Sequence, residues 1–247
     1  MLKVGLRAVR SALWCCAVAG VAPGLPLAGS ALRAAETEKA PPRPRPEGPT
    51  ALDLAWKNLR PGFLAADLSK VFNNDGISDE QNYADSTLDV ARQSFAADEL
   101  PEAGLFEPKG LATAFLFPSK QPGKNNNLAC KGQGVPLSGK ARELHFLVTA
   151  TDYEQEEKLT VQYADGAVEV EFKVPDWCQE ARFGVKEAVA CKSRITVDSE
   201  GKNIHSRETR KTHIWLLAVP LDPARELRGI RLSNNSCIHV FALTLAQ

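Results

Sequence analysis

The chain has 247 residues, 44% hydrophobic and 24% charged, enough for one sizeable core and within the range that a sandwich fold fills as a single domain. Lys plus Arg and Asp plus Glu both number 30, so no long-range field recruits nucleic acid, a polyanion or an anionic membrane.

In chain order, Lys3, Arg7 and Arg10 precede an apolar run over residues 12–22, and small residues continue to Ala34 and Ala35. That order predicts a secretory signal peptide over residues 1–35. Pro23 and Pro26 interrupt the run and disfavour a spanning helix, with an uncleaved anchor as the alternative and an Arg-rich mitochondrial presequence as a weaker rival. The expected location is therefore secreted, cell-surface or periplasmic, with no strong membrane interaction once the signal is removed. Residues 36–62 are polar and Pro-rich around Pro41, Pro42, Pro44 and Pro46, which favours extended conformations and predicts a spacer. Leu52, Leu54, Trp56 and Leu59 have mixed spacing, consistent with a short helix over 51–59 or with disorder.

From residue 63 to 247, short apolar segments alternate with Gly, Pro, Asn and Asp, which predicts an all-β domain: an antiparallel, jelly-roll-like β-sandwich. Residues 159–163 and 168–174 alternate apolar and polar around Asp165-Gly166, a dipeptide that tolerates the positive φ of a tight hairpin. Further strands are predicted over 113–117, 144–151, 213–219, 226–232 and 237–245, the last two partly apolar on both faces as strands inside a sandwich should be.

Few of the motifs point to catalysis. Residues 134–141 approach a phosphate-binding loop, but Ala141 lacks the hydroxyl for magnesium and Pro136 lacks an amide for phosphate, so a turn is the better reading. His145, His205, His213 and His239 are scattered singly, and three of them fall in apparent strands, where structural histidines are common. Cys130, Cys178, Cys191 and Cys237 remain once the signal is removed; up to two disulfides are expected, with Cys178–Cys191 favoured by proximity. No pair has zinc-ribbon spacing, which disfavours zinc. Asn234-Asn235-Ser236 is a glycosylation sequon, of use only in a eukaryotic host.

The most polar cluster is 73–79. Asn73, Asn74, Asp75 and Asp79 are oxygen donors around Gly76, suited to a polar ligand or, through Asp75 and Asp79, to calcium, although the spacing is not that of an EF-hand. Trp177, between Asp176 and Cys178, is the one aromatic with polar neighbours at a strand end, either a sugar-stacking platform or core packing against a disulfide.

The series Asp67-Leu68-Ser69, Phe72-Asn73-Asn74, Gly76-Ile77, Leu88-Asp89, Asn126-Asn127, Asp165-Gly166, Asp176-Trp177-Cys178 and the terminal strand through His239 resembles, over roughly residues 64–247, galactose-binding-like β-sandwich modules. Such modules are appended to secreted microbial glycoside hydrolases of fucosidase-like and glucosidase-like type. The resemblance implies the fold and a carbohydrate-associated context, and adds Asp89 to the ligand-binding candidates. It departs where Val90-Ala91-Arg92-Gln93 replaces a Gly-rich run, and the chain leaves no room for a hydrolase. The expectation is a non-catalytic module that binds carbohydrate or a secreted or cell-surface protein. The alternatives are a structural or protein-interaction sandwich without a glycan site and, third, a small glycoside hydrolase.

Overall fold

The computed structural model describes residues 51–81, 87–121, 123–197 and 205–247, with the backbone alone at His205. The expected signal peptide and the Pro-rich centre of the spacer lie outside the described residues. The first strands are β1 (Ala55–Arg60), β2 (Phe63–Asp67), β3 (Ile77–Ser78), β4 (Gln93–Ala96), β5 (Gly104–Phe106), β6 (Phe115–Phe117), β7 (Leu128–Ala129) and β8 (Gly134–Gly139). They are followed by β9 (Glu143–Ala150), β10 (Gln155–Tyr163), β11 (Gly166–Val174), β12 (Lys186–Cys191), β13 (Arg194–Val197), β14 (His205–Glu208), β15 (Thr212–Pro220), β16 (Leu227–Arg231) and β17 (Ile238–Ala246). Among the described residues the one helical element is a 3-10 turn at Ala97–Glu99.

The centre is a seven-stranded sheet ordered β1-β2-β17-β9-β15-β12, with β7 also paired to β17. A four-stranded sheet, β11-β10-β16-β8, accompanies it, with a second four-stranded sheet, β14-β13-β4-β3, and a separate two-stranded one, β5-β6. Every strand pair is antiparallel except the two-residue pair β3–β4. Two separate cores explain the arrangement. Leu144, Phe146 and Val148 of β9 pack with Leu159 and Val161 of β10 and Ile230 of β16, whereas Leu147 of β9 packs with Phe95, Phe115 and Trp177. Strand side chains alternate between faces, so this segregation means that both faces of the central sheet are covered. It accounts for the uninterrupted burial of β17 and of β9 after its first residue. The sandwich expected from the sequence is present, and a further layer is added to it.

A bulge at Phe241, where the β17–β9 register slips between Val240 and Ala242, puts both Phe241 and Ala242 in the second core and returns Leu243 and Leu245 to the first. Phe241 and Trp177 both meet Phe95 edge-on, with centroids 5.6 Å and 4.9 Å from its ring.

The expected hairpin forms, with Tyr163 paired to Gly166 across Ala164 and Asp165. Gly166 has φ +147, a value open to glycine. Residues 134–139, rejected as a phosphate loop, are strand β8 rather than a turn. The short helix considered over 51–59 is not formed: β1 pairs with β2, so the sheet begins inside the segment expected to be spacer. Leu52, Leu54 and Trp56 are half-buried while Asp53 and Ala55 are exposed, a period-two pattern.

The disulfide expectation is overturned, for all four cysteines are free. Cys178 Sγ accepts from Arg194 Nη1 at 3.4 Å, and Cys191 Sγ donates to the Glu99 carbonyl at 3.8 Å, so this pair is committed elsewhere. Cys130 packs with Ile238 in the first core, whereas Cys237, in the turn just before β17, directs its sulfur to Asp152 Oδ2 at 3.7 Å.

Candidate functional site

The polar loop after β2 is held by asparagines. Asn73 imitates a strand against β7: its Oδ1 accepts from Ala129 N at 2.8 Å and its Nδ2 donates to Ala129 O at 3.1 Å. Asn74 forms an isolated bridge with Asn127, and its Nδ2 donates to Asn127 Oδ1 and to the Thr87 carbonyl, both at 3.2 Å. Buried Asn126 accepts from Gly76 N at 3.0 Å and donates to Asp75 Oδ1 at 2.5 Å. Gly76 has no room for a side chain, because a Cβ there would lie 2.7 Å from Leu88 Cδ1 and 2.8 Å from Asn127 Nδ2.

This framework shapes a cleft of about 300 Å3 to which Asn73, Asn74, Asp89, Asp152, Cys237 and His239 contribute. The fold thus brings together three residues singled out from the sequence, Asn73, Asn74 and Asp89. Asp89 is half-buried and its Oδ1 accepts from Gln93 N at 3.0 Å. Burial raises its carboxyl above the ordinary aspartate range, and the charge of Asp152 adds to that effect. The weak Cys237 thiol contact, 3.7 Å to Oδ2, is the one protein hydrogen bond to the Asp152 carboxylate among the described residues.

His239 is 3% exposed, and its Nδ1 lies 2.9 Å from Asn127 Oδ1. That oxygen also accepts from Asn74, while Asn127 Nδ2 donates to Asn126, so the imidazole proton sits on Nδ1 and Nε2 carries a lone pair. Nε2 is buried and has no hydrogen-bond partner. Burial lowers the His239 pKa to about 4, which leaves the ring neutral at pH 7.

At the rim, Val90 is 83% exposed. Asp152 and Tyr153 are consecutive non-glycine residues with φ of +56 and +83, a conformation that costs a bulky side chain energy and collects at binding sites. Tyr153, next to the cleft residue Asp152, is 78% exposed.

Two expectations fail here. Trp177 is 2% exposed, packed against Phe95, so its indole cannot serve as a sugar platform. Asp75 is engaged by Asn126, Asp79 Oδ1 accepts from Gln81 N at 2.8 Å, and among the described residues no group of three or more His, Cys, Asp or Glu side chains is placed to hold a metal ion. Both carboxylates expected to take calcium are thus engaged within the protein. Asp152, Tyr153 and His239 were missed. The signal for the first two was a polar Thr-Asp-Tyr break directly after an apolar strand; His239 gave none.

A second cleft, of about 250 Å3, contains Thr113, Glu143, His145 and Lys186. His145 there bridges Thr113 Oγ1 at 2.9 Å and Glu143 Oε2 at 2.8 Å. Thr113 is 1% exposed, so this chain satisfies buried polar groups and presents no accessible nucleophile.

No curated protein matches the chain. The family described as AziU2-like beta-sandwich domain matches residues 65–247, nearly all of the layered fold, and the chain belongs to that family.

Proposed function

We propose that this domain is a secreted, non-catalytic binding module for carbohydrate and that the cleft of Asn73, Asn74, Asp89, Asp152 and His239 is its site. One observation carries the reading: polar side chains from four distant stretches of chain converge on a single cleft, beside an exposed tyrosine held in a strained conformation. Carboxylates and amides accept from and donate to sugar hydroxyls, and a tyrosine ring covers the apolar face of a pyranose. Asn73 Oδ1 uses one lone pair on Ala129 and keeps the other for a ligand. The resemblance to galactose-binding-like modules supports the same class of ligand, and the basic-then-apolar N-terminus supports secretion.

A second reading, a protein-interaction module, draws on the wider cleft of about 430 Å3 along β11 and β15, where Phe183 stands 41% exposed. The test that separates them is a glycan array with the purified full-length protein, followed by titration of the best binder against the Asp152→Ala and Tyr153→Ala variants. Binding weakened about tenfold or more in both variants, with unchanged melting, supports the carbohydrate site. An array without binders, together with a specific protein captured through Phe183, supports the interaction module. Turnover of an aryl glycoside that disappears in Asp89→Asn would make the protein a hydrolase and overturn both.

A further inference from the structure

We propose that the free edge of β11 is a homodimer surface, and that its occupant is β11 of a second copy of this chain, paired antiparallel about a two-fold axis at Glu171. The inference rests on the protein-interaction reading, whose cleft it fills, and is independent of the carbohydrate reading, whose cleft shares none of these residues.

β11 is the outermost strand of its sheet, with β10 its one strand partner among the described residues. A strand at an edge presents unpaired N–H and C=O groups, and folds blunt such edges with bulges, prolines or short strands. The other edges of the larger sheets follow that practice. β1 shifts register between Asn58 and Arg60 and β12 between Glu187 and Val189. β8 contains Pro136 and receives the Leu52 amide on its Gly134 carbonyl at 2.8 Å, while β3 and β14 are two and four residues long. β11 instead runs for nine residues in unbroken register, without a proline. Space lies directly beyond it, because residues 170–173 all line the cleft of about 430 Å3. Successive side chains of a strand point to opposite faces, so a cleft bordered by consecutive residues follows the edge and not one face. Its other wall is residues 217–220, the part of β15 that β12 leaves unpaired, since the β12 pairing stops at Lys186 opposite Leu216.

Charge selects the occupant. On the outer face of β11, Glu169 and Glu171 share Lys158, at 3.4 and 3.3 Å, and Lys173 pairs with Glu156 at 2.6 Å. On the inner face Val168 is 42% exposed, and Val170 and Phe172 are half-buried against the first core. Residues directly opposed in an antiparallel pair share a face. With Glu171 on the axis, Glu169 of each copy stands opposite Lys173 of the other, while Val170 meets Phe172 and Val168 meets Val174. The one like-charged contact, Glu171 on its twin, has a Lys158 on either side. Val170 on the axis would set Glu169 against Glu171 twice, and a parallel in-register pairing would set every glutamate against itself. Phe172 on the axis keeps a glutamate opposite Lys173 but leaves Val168 without a strand partner. The charge pattern of this edge is therefore complementary to itself, in the register that also covers the exposed valine.

The test is sedimentation equilibrium of the full-length protein between about 1 and about 300 µM, the range of weak specific pairs. A monomer–dimer equilibrium is expected there, weakened about tenfold by Glu169→Lys and by Lys173→Glu, since each change is present twice across the axis. The double variant Glu169→Lys/Lys173→Glu is expected to recover dimerisation to within about threefold of the wild type. Within one chain that double change sets a lysine beside Lys158 and a glutamate beside Glu156, so only pairs across the axis can produce the recovery. Val168→Lys, an inward-pointing charge of the kind that protects natural edges, is expected to give a folded monomer with unchanged melting. A chain that stays monomeric throughout, a dimer indifferent to all these changes, or single losses without recovery in the double variant would each overturn the inference. Capture of a different protein through Phe183 would then still decide the protein-interaction reading, and oligosaccharide binding, measured on the same variants, decides the carbohydrate one separately.

Discussion

His239 allows a quantitative test of the site's electrostatics. Burial lowers its pKa from 6.5 to about 4. Acid protonates the unfolded imidazole first, so the residue contributes stability above pH 6.5 that is lost as the pH falls toward the folded value. At pH 5 the unfolded ring is almost fully charged and the folded one mostly neutral, a difference of about 2 kcal/mol; below pH 4 it reaches its limit of about 3 kcal/mol. His213, lowered by burial, acts in the same sense, and Asp89, raised by burial, in the opposite one. Both are retained in His239→Asn, whose amide keeps a donor for Asn127 and does not titrate. Urea unfolding followed by tryptophan fluorescence at pH 7 and pH 5 therefore isolates the term: the wild type is expected to lose about 2 kcal/mol more than the variant between the two pH values. Equal losses would mean that His239 protonates freely in the folded protein, and the neutral-acceptor assignment would be wrong.

Other perturbations probe the cores and the rim. Trp177→Ala removes a fully packed indole and is expected to cost about 3–5 kcal/mol in denaturant unfolding; a loss under about 1 kcal/mol would contradict its burial. In Gly229→Ala the new Cβ lies 2.9 Å from the Val135 carbonyl, backbone that a paired strand cannot easily move, so a cost of about 1–3 kcal/mol and a lower Tm are expected. The thiols of Cys130 and Cys191, pushed up to about 12 by burial, should resist alkylation in the native protein while Cys178 and Cys237 react first. Labelling of Cys130, Cys178, Cys191 and Cys237 alike after denaturation without reductant, mapped peptide by peptide, would confirm that none of the four is in a disulfide. Tyr153→Gly relieves a left-handed backbone and is expected to raise stability by about 1 kcal/mol while weakening oligosaccharide binding, a split that a purely structural tyrosine would not give.

Much of the fold was legible because burial left a periodic trace. The 159–174 hairpin alternates cleanly since one face of β10 and β11 is wet, and β9, β15 and β17 are continuous apolar runs because the central sheet is covered on both sides. β1 was obscured by Leu59, which breaks the alternation of Leu52, Leu54 and Trp56. Trp177 misled for a different reason: its polar neighbours suggested exposure, yet Asp176 uses its carboxylate on the backbone amides of Cys178 and Tyr153, leaving the indole free to enter the core. Sequence neighbours report the polarity of a turn. They do not report which way a side chain points.

The site divides along the same line. Asn73 and Asn74 announce themselves because several short polar side chains around a glycine are adapted to a turn, and the turn is where they are found. His239 lies inside an apolar strand and becomes a site residue through pairing alone: β7 docks on β17 with Ala129 opposite His239, which carries Asn127 to the imidazole, and Asn74 bridges to Asn127 from the other side. A partnerless acceptor is a property of neighbours in space, so no pattern in the chain encodes it. It carries more weight for that reason: an unpaired buried acceptor costs about 1–3 kcal/mol, and replacement by an apolar residue of similar size would remove the cost. Three asparagines, Asn74, Asn126 and Asn127, are hydrogen-bonded in series up to the Nδ1 side of the ring, so the register that fixes the imidazole also fixes which of its nitrogens is left without a partner.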